Sequence, residues 1–445
     1  MNIKQQWNNF PIQPKKIPFF YGWVILFAAT IGVLVSAPGQ TMGVSTFTDY
    51  LLENIGISRN QLSTAYMVGT IGSSLILTYA GKLYDKYGVR WVGMVVSVLL
   101  AIVLVLLSQS DRIISFFVAD PNSGIYTGMA IAILMFLFFA LRFAGQGVLT
   151  MISRNMLMKW FIARRGLVNG ISAVFVGLGF SMAPLTFDML IQGTSWRGAW
   201  LIMALFIGTF FTIFVFLFFR DNPEDLGMIP DGEKHANKKR DVIIKPFKQI
   251  TLKDARKTLS FWVFAIPLAL YALYITGLTF HLVSIFNEAG ISREQALAVF
   301  IPVSIISVGV SLFGGWISDR IKLKYLLYLI LTGEFLALFC LGNLNDGIFY
   351  IGFIIGNGIV SGAYNVLMAV TWPRFYGREN LGSITGFVMA LIVFASALGP
   401  TLLSFSFTLG GSYKFAFYGL ALVVAVITFF SLKACNPQDH FKNVQ

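Results

Sequence analysis

The decapeptide GKLYDKYGVR, from Gly81 to Arg90, has a counterpart in GWISDRIKLK, from Gly315 to Lys324, at an offset of 234 residues. The glycine, the aspartate and two basic positions recur at that offset in both stretches. A repeat of this kind predicts that one structural unit is duplicated within the chain.

A second pair of matching stretches precedes the decapeptides. GISRNQ at 56–61 and GISREQ at 290–295 also lie 234 residues apart. Ser-x-x-Gln is a capping-box pattern, in which the serine oxygen accepts from a free N–H of the first helical turn while the glutamine reaches back. Each copy therefore predicts a helix that begins just after Ser58 or Ser292.

Further matches follow in the same order at an offset of 216 residues. GLVNG at 166–170 matches GSITG at 382–386, and AP at 183–184 matches GP at 399–400. A capping pattern alone could arise twice by chance, whereas several matches in one order favour a duplicated chain.

Composition places most of this chain in lipid. The 445 residues are 56% hydrophobic and 12% charged, with a mean hydropathy of +0.74, whereas soluble domains carry roughly 25% charged residues. A transmembrane helix needs about 20 apolar residues. Twelve spans are predicted, numbered in chain order: 20–46, 60–83, 91–108, 125–158, 166–190, 198–219, 260–286, 294–317, 325–342, 347–371, 382–406 and 413–433.

These spans predict an all-α membrane protein with twelve transmembrane helices in two pseudo-symmetric six-helix halves. The first half covers 1–219, a charged cytoplasmic linker covers 220–259 and the second half covers 260–445. Parallel six-helix halves are typical of transporters whose site lies between the halves.

The basic residues orient the chain. With both termini on one side of the membrane, 27 Lys and Arg fall on that side, five fall on the other and Arg142 lies within a span. This bias predicts cytoplasmic termini in the cell (inner) membrane. The net charge of +13 is therefore explained by basic residues that orient the spans and face anionic lipid, and it does not indicate nucleic-acid binding. The first apolar run is read as a retained span and not as a signal peptide.

Several functional classes lack their sequence patterns. The two Cys and three His are scattered without metal-ligand spacing, and no nucleophile–base set stands out. We therefore expect neither an enzyme nor a cofactor. The G-x-x-x-x-G-K-[ST] phosphate loop is missing, which excludes ATP as the expected energy source.

GKLYDKYGVR resembles the G-x-x-x-D-R-x-G-R-R loop between helices 2 and 3 of the major facilitator superfamily. LRFAGQG at 141–147 looks like the span 4 motif with an intramembrane arginine. WFIARRGLVNG at 160–170, RDNPEDLGMIPDGE at 220–233 and HLVSIFNEAGIS at 281–292 resemble the monocarboxylate and oxalate–formate branch of bacterial members. The resemblance covers the whole chain and implies the major facilitator fold.

The resemblance also implies that spans 1, 4, 7 and 10 line the substrate cavity. Its candidate substrate contacts are Arg142, Gln146, Gln40, Tyr271, Tyr274, Asn357, Tyr364 and Asn365. Pro38 and Gly39 interrupt span 1 beside them, as is tolerated where a helix faces protein or a cavity. The alternative for each polar side chain is a hydrogen bond that only holds helices together.

Arg142 is the sharpest candidate. A charge near mid-bilayer is costly and faces a bundle interior or an aqueous cavity. It either binds an anionic substrate or ties span 4 to carbonyl groups of span 1. Relatives of this branch place a basic residue in span 8 or span 11, and both spans lack one here.

His281 and Glu334 are the candidate proton-coupling residues. His281 has a side chain suited to protonation near neutral pH, or it packs against a carbonyl group. Glu334 lies mid-span in span 9, which packs outside the cavity in this superfamily, so a structural role is the alternative. The resemblance further implies a cytoplasmic charge lock, formed by Asp85 and Arg90 in one half and Asp319 and Arg320 in the other.

The sequence thus predicts a secondary active transporter that works by alternating access. The expected activity is proton-coupled uptake or exchange of a small organic anion such as a monocarboxylate, by a monomer. The alternatives are a carrier or exporter of a neutral or cationic solute, such as a sugar or drug, and a non-transporting membrane sensor.

Overall fold

The computed structural model describes residues 10–118, 120–231, 248–345, 347–434 and 436–438. Cys435, His440 and most of the basic stretch of the predicted linker lie outside the described residues. The helices are α1 Gly22–Val35, α2 Thr41–Ile55, α3 Arg59–Tyr87, α4 Val89–Ser108, α5 Ser110–Phe117, α6 Gly124–Trp160, α7 Arg165–Gly193, α8 Trp196–Phe218, α9 Leu252–Ala255, α10 Leu259–Glu288, α11 Arg293–Ser318, α12 Leu323–Gly342, α13 Ile348–Phe375, α14 Leu381–Gly410 and α15 Lys414–Ser431.

The twelve predicted spans correspond to these helices, with α5 and α9 as short extra elements. Ten helices of the described ranges are long and apolar enough to cross a membrane. Large apolar side chains are exposed along them, including Phe210 at 65% and Leu422 at 66%, as lipid contact requires. The prediction for span 1 was wrong at its end, because α2 continues to Ile55.

Both predicted capping boxes form. Ser58 Oγ accepts from Gln61 N at 3.3 Å, and Gln61 Oε1 accepts from Ser58 N at 2.8 Å. The same two bonds measure 3.3 Å each between Ser292 and Gln295. The repeated hexapeptide is therefore a repeated helix start.

Span 1 is interrupted where its sequence predicts. The chain leaves α1, forms a short 3₁₀ turn at Ala37–Gly39 and enters α2 at Thr41. Gly39 is required here, because a Cβ on it would lie 2.7 Å from the Cα of Gly145 in α6. α6 itself changes to π-helix over Phe143–Leu149, beside this contact.

The chain forms two compact units. Unit 1 comprises Met1–Trp160, Phe175–Ala236 and Thr385–Ala390, and unit 2 comprises Phe161–Val174, Asn237–Ile384 and Leu391–Gln445. Each unit thus contains most of one sequence half and a short piece of the other. The two exchanged pieces lie in α7 and α14, the helices that carry GLVNG and GSITG.

The start of the predicted linker packs on unit 1. Asp221 Oδ1 accepts from the backbone N of Val89 at 2.7 Å, at the first turn of α4. Arg220 is fully buried, and its carbonyl accepts from Trp160 Nε1 at 3.1 Å. This part of the linker is therefore an ordered element of the first half.

Candidate functional site

In unit 1, Arg142 reaches from α6 to the interruption between α1 and α2. Its Nη1 donates to Gly39 O at 3.2 Å and to Thr41 Oγ1 at 3.3 Å. Its guanidinium carbon lies 5.3 Å from the centre of the Tyr66 ring. The side chain is 2% exposed, and its Nε has no hydrogen-bond partner among the described residues. Arg142 thus holds the broken helix and keeps unused donor capacity.

The π-helical segment places Gln146 close to Arg142. Gln146 Oε1 is buried and accepts no hydrogen bond within the described residues. A π-helical turn frequently marks a functional site. Gln40 belongs to a different network, since its Nε2 donates to Ser36 Oγ at 3.0 Å and to Thr150 Oγ1 at 3.3 Å.

In unit 2, the predicted contacts of spans 7 and 10 form an aromatic and amide cluster. Tyr271 packs against Tyr274 and Tyr364, with ring centres 5.5 and 5.1 Å away. Tyr274 OH donates to Asn357 Oδ1 at 2.8 Å. Asn365 has a different contact, since its backbone carbonyl accepts from Asn169 Nδ2 of α7 at 2.9 Å.

The two candidate coupling residues differ in their surroundings. His281 Nε2 lies 3.1 Å from Pro400 O, and its ring packs 5.5 Å from that of Tyr413. Glu334 is 0% exposed, and neither of its oxygens has a hydrogen-bond partner among the described residues. His281 thus has a carbonyl and a ring beside it, whereas Glu334 has no hydrogen-bond partner in the described part of the chain.

Asp319 caps the start of α7. Its Oδ1 accepts from Gly166 N at 2.9 Å and its Oδ2 from Leu167 N at 3.2 Å. Burial raises the pKa of Asp319 to about 6, against those two bonds and the charges of Arg374 and Arg165, which lower it. The partial positive charge of the α7 N-terminus offsets part of the cost of burying this carboxylate.

Glycines allow α7 and α11 to pack closely against each other. A Cβ on Gly166 would lie 1.9 Å from Gly315 O, and one on Gly170 would lie 2.9 Å from Ser311 O. Gly166 and Gly170 are the two glycines of GLVNG, while Gly315 opens the second decapeptide. The two sequence motifs therefore meet in unit 2.

The duplication reappears in unit 1 as a matching contact. A Cβ on Gly386 would lie 2.7 Å from Leu77 O, and Asn155 Nδ2 donates to Thr385 Oγ1 at 2.7 Å. Gly386 and Leu77 are the repeat equivalents of Gly170 and Ser311. Thr385 likewise corresponds to Asn169, so the repeat extends to pairs of packed residues.

The other three residues of the predicted charge lock, Asp85, Arg90 and Arg320, differ in burial and in their contacts. Asp85 is half-buried near the end of α3. Arg90 is buried and donates to Phe216 O at 2.7 Å and to Phe10 O. Arg320, two residues after the end of α11, lies over Trp316 of that helix, with its guanidinium carbon 3.8 Å from the ring centre. These two bonds of Arg90 thus hold the N-terminal segment and α8.

Sequence reasoning missed the partners of these residues. Arg374 is 8% exposed and donates to Ser318 O at 2.6 Å, next to Asp319. Tyr66 and Thr41 surround Arg142. Their only sequence signal is a polar residue on an apolar helix, which does not specify a partner on another helix.

Comparison with known proteins identifies the family. The profile of the Major Facilitator Superfamily matches residues 29–400. Monocarboxylate transporter 12 of Homo sapiens is 27% identical over 282 residues, covering 59% of this chain and 54% of that protein, so the chain spans about half of its length. The hexuronate transporter of Bacillus subtilis is 22% identical over 428 residues, covering 91% of this chain and 94% of that protein.

A solved structure gives the same result for the fold. The structure of a proton:xylose symporter superimposes with a TM-score of 0.65 at 15% identity, covering 93% of this chain and 95% of that one. Together with the profile match, this shows that the chain belongs to the Major Facilitator Superfamily of multi-pass membrane transporters, which are not enzymes, and has its twelve-helix fold.

Proposed function

We propose that this transporter moves a small organic anion with a carboxylate group, together with a proton, by alternating access. The observation that carries the proposal is the buried guanidinium of Arg142, whose described partners are a carbonyl, a hydroxyl and an aromatic ring. A buried charge is normally paired, because its desolvation is costly. An anionic substrate would supply the missing charge.

The relatives support the same class of substrate. A monocarboxylate and a hexuronate both carry a carboxylate, and these are the substrates in the names of the two relatives described above. An arginine fork can hold a carboxylate through two parallel hydrogen bonds. Gln146, one turn from Arg142, offers a second polar contact.

A ligand screen tests the proposal. Purified protein is heated with lactate, glucuronate, xylose or fucose at equal concentrations, at pH 5.5 and 7.5. Binding to the folded state raises the melting temperature. We expect a rise with at least one carboxylate and none with the neutral sugars. A rise with sugars alone would favour a carrier of neutral solutes and contradict the anion proposal.

We also propose that the protein lies in the inner membrane with cytoplasmic termini. The distribution of 27 basic residues on one side against five on the other supports this orientation.

A further inference from the structure

Glu334 is a buried acid without a structural explanation. Its side chain is 0% exposed in the middle of α12, and both carboxyl oxygens lack hydrogen-bond partners among the described residues. An acid that only held helices together would bond to a neighbouring helix. Burying an ionised carboxylate without a partner is far more costly than burying the neutral acid, so these surroundings favour the protonated form.

A second unpaired polar group lies at the same helix contact. α12 and α13 touch at Gly333 and Gly356, where a Cβ on Gly356 would lie 2.9 Å from Gly333 O. Glu334 and Asn357 directly follow these two glycines. Asn357 is 1% exposed, its Oδ1 accepts from Tyr274 OH, and its Nδ2 has no acceptor among the described residues.

We infer that Glu334 is a reversible proton-binding site and that the Asn357 amide N–H stabilises its ionised form. Proton binding converts the Glu334 carboxylate and a proton from water into the neutral acid, which needs no hydrogen-bond donor. Release restores the carboxylate, for which Asn357 Nδ2 is the available donor. Tyr274 holds the other end of that amide, so the proton site is joined to the tyrosine cluster.

Within the described ranges, few other titratable groups face Glu334. From α10, Tyr271 and Tyr274 lie close enough for its charge to act on their hydroxyl groups. Tyr364 of α13 packs on Tyr271. α11 has no charged residue between Phe300 and Ser318.

The remaining neighbour, α15, brings its titratable groups to the far end of α12. Tyr418 OH donates to Gly342 O at 3.0 Å, and Lys414 lies near Leu341. These positions are about 10 Å along the helix axis from Glu334. No close cation is therefore available to hold an ionised Glu334 in this conformation of the described chain.

Infrared spectroscopy tests proton binding without any substrate. Purified wild-type protein should show the C=O stretch of a buried carboxylic acid at pH 7, and Glu334→Gln should lose that band. The matched control is Asp188→Asn, which changes an acid of α7 and should keep the band. Absence of a Glu334-dependent band between pH 5 and 9 would overturn the assignment.

The role of Asn357 is tested by following the Glu334 infrared band as the pH is raised from 5 to 9. A hydrogen bond to a charged group contributes about 1.5–3 kcal/mol, so Asn357→Leu should raise the proton affinity of Glu334 at least tenfold. Asn357→Met is a second apolar variant of similar size, used if the first does not fold. An unchanged titration midpoint in a folded variant would exclude Asn357 as the donor.

The link to transport rests on the proposed function and has its own readout. Proteoliposomes are tested with a carboxylate that raised the melting temperature in the screen. The Glu334→Gln variant should still exchange that labelled carboxylate and should lose substrate-driven proton movement. Retained proton movement would contradict the coupling role. Failure to transport any carboxylate would refute the proposed function and leave the infrared result intact.

Discussion

Asp319 and Gly166 are joined by a 2.9 Å hydrogen bond in which the carboxylate accepts a first-turn N–H of α7. The aspartate belongs to the second copy of the repeated decapeptide, and the glycine belongs to the first copy of the GxxxG pair. The contact therefore connects the two sequence halves through the two motifs that reveal their duplication.

Asp319→Asn should weaken this cap and slow transport more than it weakens substrate binding. An amide has one acceptor oxygen in place of two, so the variant side chain can accept from only one of the Gly166 and Leu167 N–H groups, and its NH2 group would face the other. That change alters the balance between conformations and not the binding site. Transport rate and affinity are measured on Asp319→Asn, Asp85→Asn and the exposed control Asp254→Asn. Normal transport in both Asp319→Asn and Asp85→Asn would exclude the lock.

The conformation in which Asp319 is buried against α7 should be more populated in acid. Burial raises the pKa of this carboxyl from 3.8 to about 6, so the capped conformation binds the proton more tightly than one that exposes Asp319. The resulting stabilisation is complete below about pH 3.8 and disappears as the pH rises through about 6. Hydrogen exchange at Gly166 and Leu167, corrected for intrinsic rates, should show greater protection at pH 5 than at pH 7.5. Equal protection, or a pH dependence that persists in Asp319→Asn, would refute this assignment.

Gly166→Ala should disrupt the same contact by steric overlap. The added Cβ would lie 1.9 Å from Gly315 O and 2.0 Å from Ser318 Oγ, and overpacking of this kind costs about 1–3 kcal/mol. We expect a lower melting temperature and slower transport. Gly177→Ala is the matched control on the same helix, because a Cβ added there would meet no described heavy atom within 4 Å beyond its own stretch of helix. Equal effects of the two substitutions would show that the contact has no special importance.

The proposed orientation predicts opposite labelling of two exposed residues. Cysteine at Asn122, in the loop before α6, should react with a membrane-impermeant maleimide on intact cells. Cysteine at Lys253, in α9, should react only after the cells are opened. Both side chains are exposed, so access is limited by the membrane and not by burial. The reverse pattern would place the termini outside the cytoplasm.

The fold was largely readable from the sequence because two strong signals act locally. Apolar runs of sufficient length specify the spans, and Ser58 and Ser292 specify helix starts through bonds to residues three positions away. The end of α2 was missed because residues beyond 46 are mixed in polarity, and Phe47 is buried by contacts with Phe187 of α7 and Trp200 of α8.

The candidate sites were predicted less completely. A lone Arg142 in an apolar helix is visible in the sequence, whereas its place beside span 1 was implied only by the family resemblance. Its contact with Tyr66 and the pairing of Asp319 with Gly166 join residues of distant helices. Local sequence patterns do not encode such pairings.

The central claim is that Arg142 binds the carboxylate of the substrate, and affinity and melting temperature of Arg142→Lys test it most directly. Lysine cannot reproduce the two parallel bonds of a guanidinium, so affinity for a carboxylate found in the screen should fall at least tenfold. Thr41→Val is the control, since it removes an Arg142 acceptor in α2 and leaves the guanidinium in place. We predict a large affinity loss in Arg142→Lys and almost none in Thr41→Val. A lower melting temperature in both variants, with unchanged affinity, would show that Arg142 only holds the broken helix and would contradict the account.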